Sequence, residues 1–330
     1  MFAIQHVTVY RYAKPVKLGM HRLMFRPRDS HDLRLLNSML TISPPAASVR
    51  WMHDVFGNSI AIAEFDCETA ELRLQSDIVL EHFPLDSPAF EIATYARYYP
   101  FSYAMEEIPD LARSIERHYP DPEGRVDRWA RQFAVSEGGG ALVETQPMLE
   151  RMMRAIKSDF AYRVRPEEGV QTPLQTLQEG SGSCRDFALL MIEAVRSLGF
   201  AARFVSGYVY DPAADGEAEK PGAALIGDGA THAWVQVYLP GAGWVEFDPS
   251  NAIVGGRNLI RVAVARDLRQ AAPVSGTWTG SPGDYLGMEV MVRVSTHTDV
   301  TGMPAVPEPA PAPTFADISL QPGADKQAVG

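Results

Sequence analysis

Cysteine is nearly absent: Cys67 and Cys184 are the only two in 330 residues. Two thiols cannot build a disulfide scaffold or a four-thiolate zinc site. The histidines, at 6, 21, 31, 53, 82, 118, 232 and 297, are scattered and form no HxxxH pair, and there is no CxxC. Metal chemistry therefore has no support, and no cofactor is expected. Basic charge is also in deficit, with 30 Lys plus Arg against 41 Asp plus Glu and a net charge of −11. Binding a phosphate backbone needs a basic footprint, so nucleic acid is not an expected partner. No apolar run reaches the ~18 residues of a membrane span, so a membrane is not expected either. The opening stretch MFAIQHVTVYRYAKPV alternates apolar and polar residues, whereas a signal peptide has a basic end and then a continuous apolar run. The expectation is a soluble, cytoplasmic protein. Its oligomeric state is left open by the sequence.

What is present is a globular composition, 46% hydrophobic and 22% charged, long enough for about two domains. Residues 1–90 read as strands. AIQHVTVYRY and SIAIAEFDCETAELRLQSDIVLEH alternate with period two, and Phe56-Gly57-Asn58 marks a hairpin turn. The expectation is a β-rich, sandwich-like N-terminal domain, with Cys67 on one of its strands. Prolines at 84, 88, 100, 109, 120 and 122 break the chain into short pieces, and 91–145 reads as a linker region with short helices, one over 123–133 carrying Trp129. Gly138-Gly139-Gly140 reads as a flexible joint. Residues 146–300 form the expected core, beginning with a helix from Gln146 to Phe160. Apolar residues at 187, 188, 190, 191, 192, 195 and 198, stopped by Gly199, predict a second helix from Cys184 to Leu198. Strands are predicted near 201–210, 231–239 and 243–248, with a mobile loop at 211–230. A helix followed by strands in a row indicates an α+β layer arrangement. Residues 301–330, rich in proline and alanine, read as a disordered tail.

One constellation carries chemistry. Gly180-Ser181-Gly182-Ser183-Cys184-Arg185-Asp186 leads directly into the second helix. Ser183 suits the N-cap, and Asp186 three residues on completes a capping-box pattern. Cys184 would then open the helix, where the dipole and Arg185 favour a thiolate. The upstream glycines would allow close approach to the backbone. The Cys184 N–H, lacking an intrahelical partner, could serve as half of an oxyanion hole. A buried packing cysteine is the usual alternative, but a first helical turn is seldom the most buried part of a helix.

A thiolate nucleophile needs a base, and the base an orienting group. His232 opens one strand and Asp248 ends the next, with Pro240 and Gly241 between them. If opposite partners sum to 482, a three-residue loop at 240–242, then Trp234 faces Asp248. His232 and Asp248 then share a face as diagonal neighbours, with Cα atoms about 7–8 Å apart. An odd sum would put them on opposite faces. For the second oxyanion donor Tyr162, Gln171 and Gln175 are open alternatives. Trp234 and Trp244 could line a substrate cleft.

GSCRDFA (182–188), THAWVQV (231–237) and GWVEFDPSN (243–251) resemble the motifs of bacterial transglutaminase-like cysteine enzymes, which have a papain-like core. HVTVYRYAKPV (6–16), HRLMFRPR (21–28) and DVFGNSI (54–60) resemble the β-rich region preceding such cores. RVAVARDLRQAAPVSGTW (261–278) resembles the segment that follows them. The resemblance spans roughly 1–295. It implies a nucleophile helix packed on an antiparallel sheet and assigns the family's Cys, His and Asp to Cys184, His232 and Asp248. No DxDxDG-type calcium loop is present. The implied chemistry is acyl transfer through a thioester, with a peptide or amide as substrate. A hydrolase, protease or amidase, is the favoured reading. A true transglutaminase and a non-catalytic peptide-binding module are the alternatives.

Overall fold

The structure is a computed structural model that describes residues 1–83, 90–135, 142–164, 169–213, 225–227 and 229–296. The expected glycine joint at 138–140, most of the 211–230 loop and the 301–330 tail lie outside the described residues.

The N-terminal strands build one seven-stranded antiparallel sheet, ordered β2-β5-β1-β4-β3 (β1 Phe2–Leu23, β2 Leu33–Ser43, β3 Ser48–His53, β4 Ser59–Glu64, β5 Glu68–His82). β1 is 22 residues long and carries two sets of partners. Residues 2–11 and 16–17 pair with β5, and 21–23 pair with β4. A register break between Arg11 and Val16 interrupts the pairing with β5, and irregular pairing of this kind bends and twists a strand. The sandwich-like packing thus comes from one sheet curling about β1. The 54–58 turn is where the FGN signal placed it, with Gly57 at φ +75°. Cys67 lies between β4 and β5 rather than on a strand.

The described residues form five α-helices: α1 (Ile108–Ile115), α2 (Arg125–Arg131), α3 (Thr145–Asp159), α4 (Pro173–Glu179) and α5 (Cys184–Ser197). A second, five-stranded antiparallel sheet has the order β9-β8-β7-β6-β10 (β6 Ala202–Val209, β7 His232–Leu239, β8 Gly243–Asp248, β9 Ile253–Val254, β10 Leu259–Ala265). The α+β arrangement, with the Cys184 helix on an antiparallel sheet, is the one expected. α5 buries Phe187, Leu190, Met191, Ala194 and Val195 against α3 and against Val235, Val237 and Phe247 of the sheet. Each large apolar side chain so buried stabilises the fold by about 1.5–3 kcal/mol.

The expected core range of 146–300 does not end as a separate layer. β11 (Val274–Thr279) and β12 (Tyr285–Ser295) both pair with β1 of the N-terminal sheet. A second apolar cluster joins the two sheets, with Ile4, Ile78 and Leu80 against Tyr208, Ile260 and Val262.

Candidate active site

Cys184 is the first residue of α5, behind Ser183 in extended conformation (φ −87°, ψ 175°), and is 8% exposed. The Asp186 carboxylate fixes this turn. One of its oxygens accepts the Ser183 N–H and the Ser183 hydroxyl, each at 2.8 Å, and the other accepts the Gln171 N–H at 2.7 Å. Gly182 has a structural reason that the sequence does not disclose. A Cβ there would lie 2.8 Å from the Asp186 Cβ, so glycine at this position makes room for the carboxylate that caps the helix.

The hairpin of β7 and β8 has the expected even register, with Gln236 opposite Glu246 and Tyr238 opposite Trp244. Gly241 at φ +87° turns the three-residue loop. The register brings His232 and Asp248 together: Nε2 of the imidazole and Oδ2 of the carboxylate are 2.8 Å apart, both side chains fully buried. Ser250 N–H donates to the other carboxylate oxygen at 2.8 Å. Burial works against a charge on His232, but the Asp248 carboxylate, and after it the nearby Cys184 thiol, outweigh that and push the imidazole up to about 10. Nδ1 has no hydrogen-bond partner among the described residues.

Tyr162 is carried to the same place by a short parallel bridge, Ala161 beside Ser181 and Tyr162 beside Gly182. Its hydroxyl is made a weaker acid by burial first, then by its charge interaction and hydrogen bond with Cys184. Phe160, two residues earlier, packs edge-on against Trp129 and Phe187 and is a core residue.

The other candidates are placed elsewhere. Trp234 does not line a cleft: it is fully buried, stacked on His232 at 5.9 Å and packed with Val205, Val209 and Leu259. It backs the imidazole instead of facing a substrate. Gln171 directs its amide to Glu179 and Thr176. Gln175 closes the capping box of α4 with Thr172. Trp244 lies under the Arg203 guanidinium, 4.1 Å from it, away from Cys184.

Two residues missed by sequence reasoning complete the site. Asn251 Nδ2 donates to Asp248 Oδ2 at 2.8 Å and to Ile226 O at 2.9 Å, and its Oδ1 accepts the Ile226 N–H at 2.8 Å. One amide thus ties the 225–227 segment to the carboxylate that holds His232. Gly227, at φ +102°, lies against the ring, and a Cβ there would be 2.5 Å from His232 Nδ1. The only sequence signal for Asn251 is its place in Asp-Pro-Ser-Asn, where Asn reads equally as a turn residue. Among the described residues no group of His, Cys, Asp and Glu could hold a metal ion.

A thiol on a helix start, a buried His–Asp pair and a tyrosine hydroxyl on the thiol are an arrangement able to form and break thioesters. Comparison with known proteins places the fold. Residues 2–81 match the bacterial transglutaminase-like N-terminal region, and residues 133–249, which hold Cys184, His232 and Asp248, match the transglutaminase-like superfamily. The chain belongs to the transglutaminase-like superfamily. An uncharacterized Mycobacterium leprae protein is 27% identical over 294 residues, covering 88% of this chain and 97% of its own. An uncharacterized Mycobacterium tuberculosis protein is 27% identical over 307 residues, covering 88% and 92%. A Cytophaga hutchinsonii protein solved as a candidate cysteine protease superposes with a TM-score of 0.61 at 18% identity, over 89% of this chain and 90% of the other. That likeness extends the transglutaminase-like fold across both sheets.

Proposed function

We propose that this transglutaminase-like protein is a cysteine hydrolase, a protease or amidase that cleaves a peptide or amide bond through a thioester. The observation carrying the reading is the His232–Asp248 contact of 2.8 Å beside the first turn of α5, where Cys184 sits. An imidazole held protonated at neutral pH by Asp248 supports Cys184 as its thiolate partner. The sulfur attacks the substrate carbonyl carbon, and the carbonyl π-electrons move to oxygen. The Cys184 N–H, at a helix start, and the Tyr162 hydroxyl are the donors to that oxygen. Collapse of the tetrahedral adduct breaks the C–N bond, and His232 gives its proton to the departing amine. The now neutral imidazole takes a proton from water, hydroxide adds to the thioester, and the carboxylic acid leaves as the thiolate is restored.

Asp248, Ser250 and Asn251 hold the imidazole in one orientation throughout. Full burial of Trp234 and His232 keeps bulk water from the Asp248 side of the ring, which strengthens the pair electrostatically.

The test is hydrolysis of a panel of peptide and side-chain amides by the wild type and by Cys184→Ala. Expected is trapping of an acyl-enzyme on Cys184, detected by mass, and loss of all turnover in a variant that melts like the wild type. Retained turnover in Cys184→Ala would remove the mechanism. A labelled primary amine added to the same assay reads out transamidation: its incorporation into glutamine faster than hydrolysis would assign the acceptor to an amine.

A further inference from the structure

The residues that follow His232 and precede Asp248 along their strands do something unrelated to the thiol. Arg203 on β6 is opposite Gln236 on β7, which is opposite Glu246 on β8. The three form a row across the sheet, joined by hydrogen bonds. Arg261 donates to Asp32 at 3.1 Å and to Glu246 at 2.8 Å. Gln236 Nε2 donates to the same Glu246 oxygen at 3.1 Å, and Gln236 Oε1 accepts from Arg203 Nε at 2.7 Å.

The relay uses both carboxylates before it reaches Arg203. The Arg203 guanidinium is stacked on Trp244, and among the described residues its two Nη groups have no hydrogen-bond or ion-pair partner. This end of the row opens into a cavity of about 370 Å³ between the sheet and the segment after β1, lined also by Phe56, Phe90, Val262 and Val264. Cys184, His232 and Asp248 do not line it.

A guanidinium presents parallel N–H groups that match two oxygens of one anion, and stacking on an aromatic ring pre-orients that fork. The walls mix these apolar side chains with Arg28, Asp29, Asp32, Glu246 and Arg261, of which Asp32 and Glu246 are already held by Arg261, and the volume is in the range that small-ligand pockets have. Burial, and after it the charges of Arg261 and Arg28, lower Arg203 to about 9 against the opposing pull of Glu246. Burial is the main cause, and an anion on the fork would offset the lost solvation of the cation.

We propose that this cavity binds a small organic carboxylate, its two oxygens on the Arg203 fork and its apolar body against Trp244, Phe56 and Phe90. The site is distinct from the thiol site and does not rest on the acyl-transfer reading. Because it is walled by the segment after β1 and by the second sheet, a bound carboxylate bridges the two parts of the chain and stabilises their packing.

The test is calorimetric titration of the full chain with 3-phenylpropionate at constant ionic strength, with 3-phenylpropionamide and inorganic phosphate as comparison probes. Expected is saturable binding of the carboxylate in the millimolar range or tighter and at least about tenfold weaker binding of the neutral amide. Arg203→Gln should abolish it, and Arg203→Lys, which keeps the charge but not the fork, should weaken it. The lysine variant carries the test if the glutamine variant does not fold. Cys184→Ala should bind as the wild type does. No saturable carboxylate binding, equal binding of the amide, binding of phosphate alone, unchanged affinity in a folded Arg203 variant, or loss of binding in Cys184→Ala would each overturn the proposal.

Discussion

The two ends of α5 are built from the same materials and used differently. At its C-terminal end Glu193 and Arg196, both buried, form an ion pair at 2.9 Å. The Arg196 guanidinium also donates to Ser114 O, Ala202 O and Arg266 O, each within 2.9 Å. Glu193 accepts the His118 and Tyr119 N–H groups. The charges are saturated, and they pin the end of α1, the start of β6 and the chain after β10 to one helix. At the N-terminal end the ionisable groups are as deeply buried, but His232 is coupled to the Cys184 thiol as well as to Asp248. A saturated buried pair gives positional certainty, since breaking it leaves a bare charge. A pair coupled to a thiol has a strongly shifted imidazole, and shifted groups of that kind are characteristic of reactive sites. Substitutions at the two ends should therefore separate stability from rate.

The largest effect is expected at the reactive end. Asp248→Asn keeps the shape of the site but removes the charge that holds the imidazole, and the rate should fall about 10³–10⁴-fold, far beyond any loss of the folded fraction. A rate that falls only in proportion to the folded fraction would mean that the pair is structural. At the other end Arg196→Met leaves Glu193 buried and unpaired. Chemical denaturation should register a loss of about 3–5 kcal/mol, with kcat of the surviving folded fraction unchanged. The double change Glu193→Leu with Arg196→Met should recover part of that loss.

The pH dependence of stability sharpens the contrast. The folded His232 titrates near 10, against 6.5 for the free side chain. Its contribution is therefore fully present below the unfolded value and is lost as pH rises through the folded one. Melts across that window should show wild-type stability falling with pH and a flatter profile for His232→Gln. Identical slopes would mean that the imidazole is not held protonated. The smallest effect is expected at Gly227. Gly227→Ala puts a methyl group against Nδ1 at a positive φ, and the ring or the segment must shift. Turnover should drop about 10- to 100-fold, as small misplacements of catalytic groups do, while the melt stays within about 1 kcal/mol. An unaffected rate would show that the 225–227 segment yields freely.

Much of this site is legible in the amino-acid sequence. The cap at Ser183 and Asp186 is local, so it locates Cys184 on the first turn of α5. The hairpin register follows from a three-residue loop, because loop length fixes parity, and parity alone puts His232 and Asp248 on one face. Tyr162 stands out in the sequence only by its position upstream of the thiol. The bridge to Ser181-Gly182 that delivers it joins segments far apart along the chain. Trp234 reads as cleft-lining but is core, because alternation assigns a face and cannot say what covers that face.

The chain by itself determined the elements and the pairings between neighbours in sequence, since capping, periodicity and turn length act over a few residues. Tertiary structure alone decided the return of β11 and β12 to β1, the hold of Asn251 on Ile226 and Asp248, and the open fork of Arg203 at the end of a row of satisfied charges. These depend on which distant groups are brought within hydrogen-bond reach and which are left without a partner. No local pattern encodes that, because the free energy of a buried polar group is set by all of its neighbours at once.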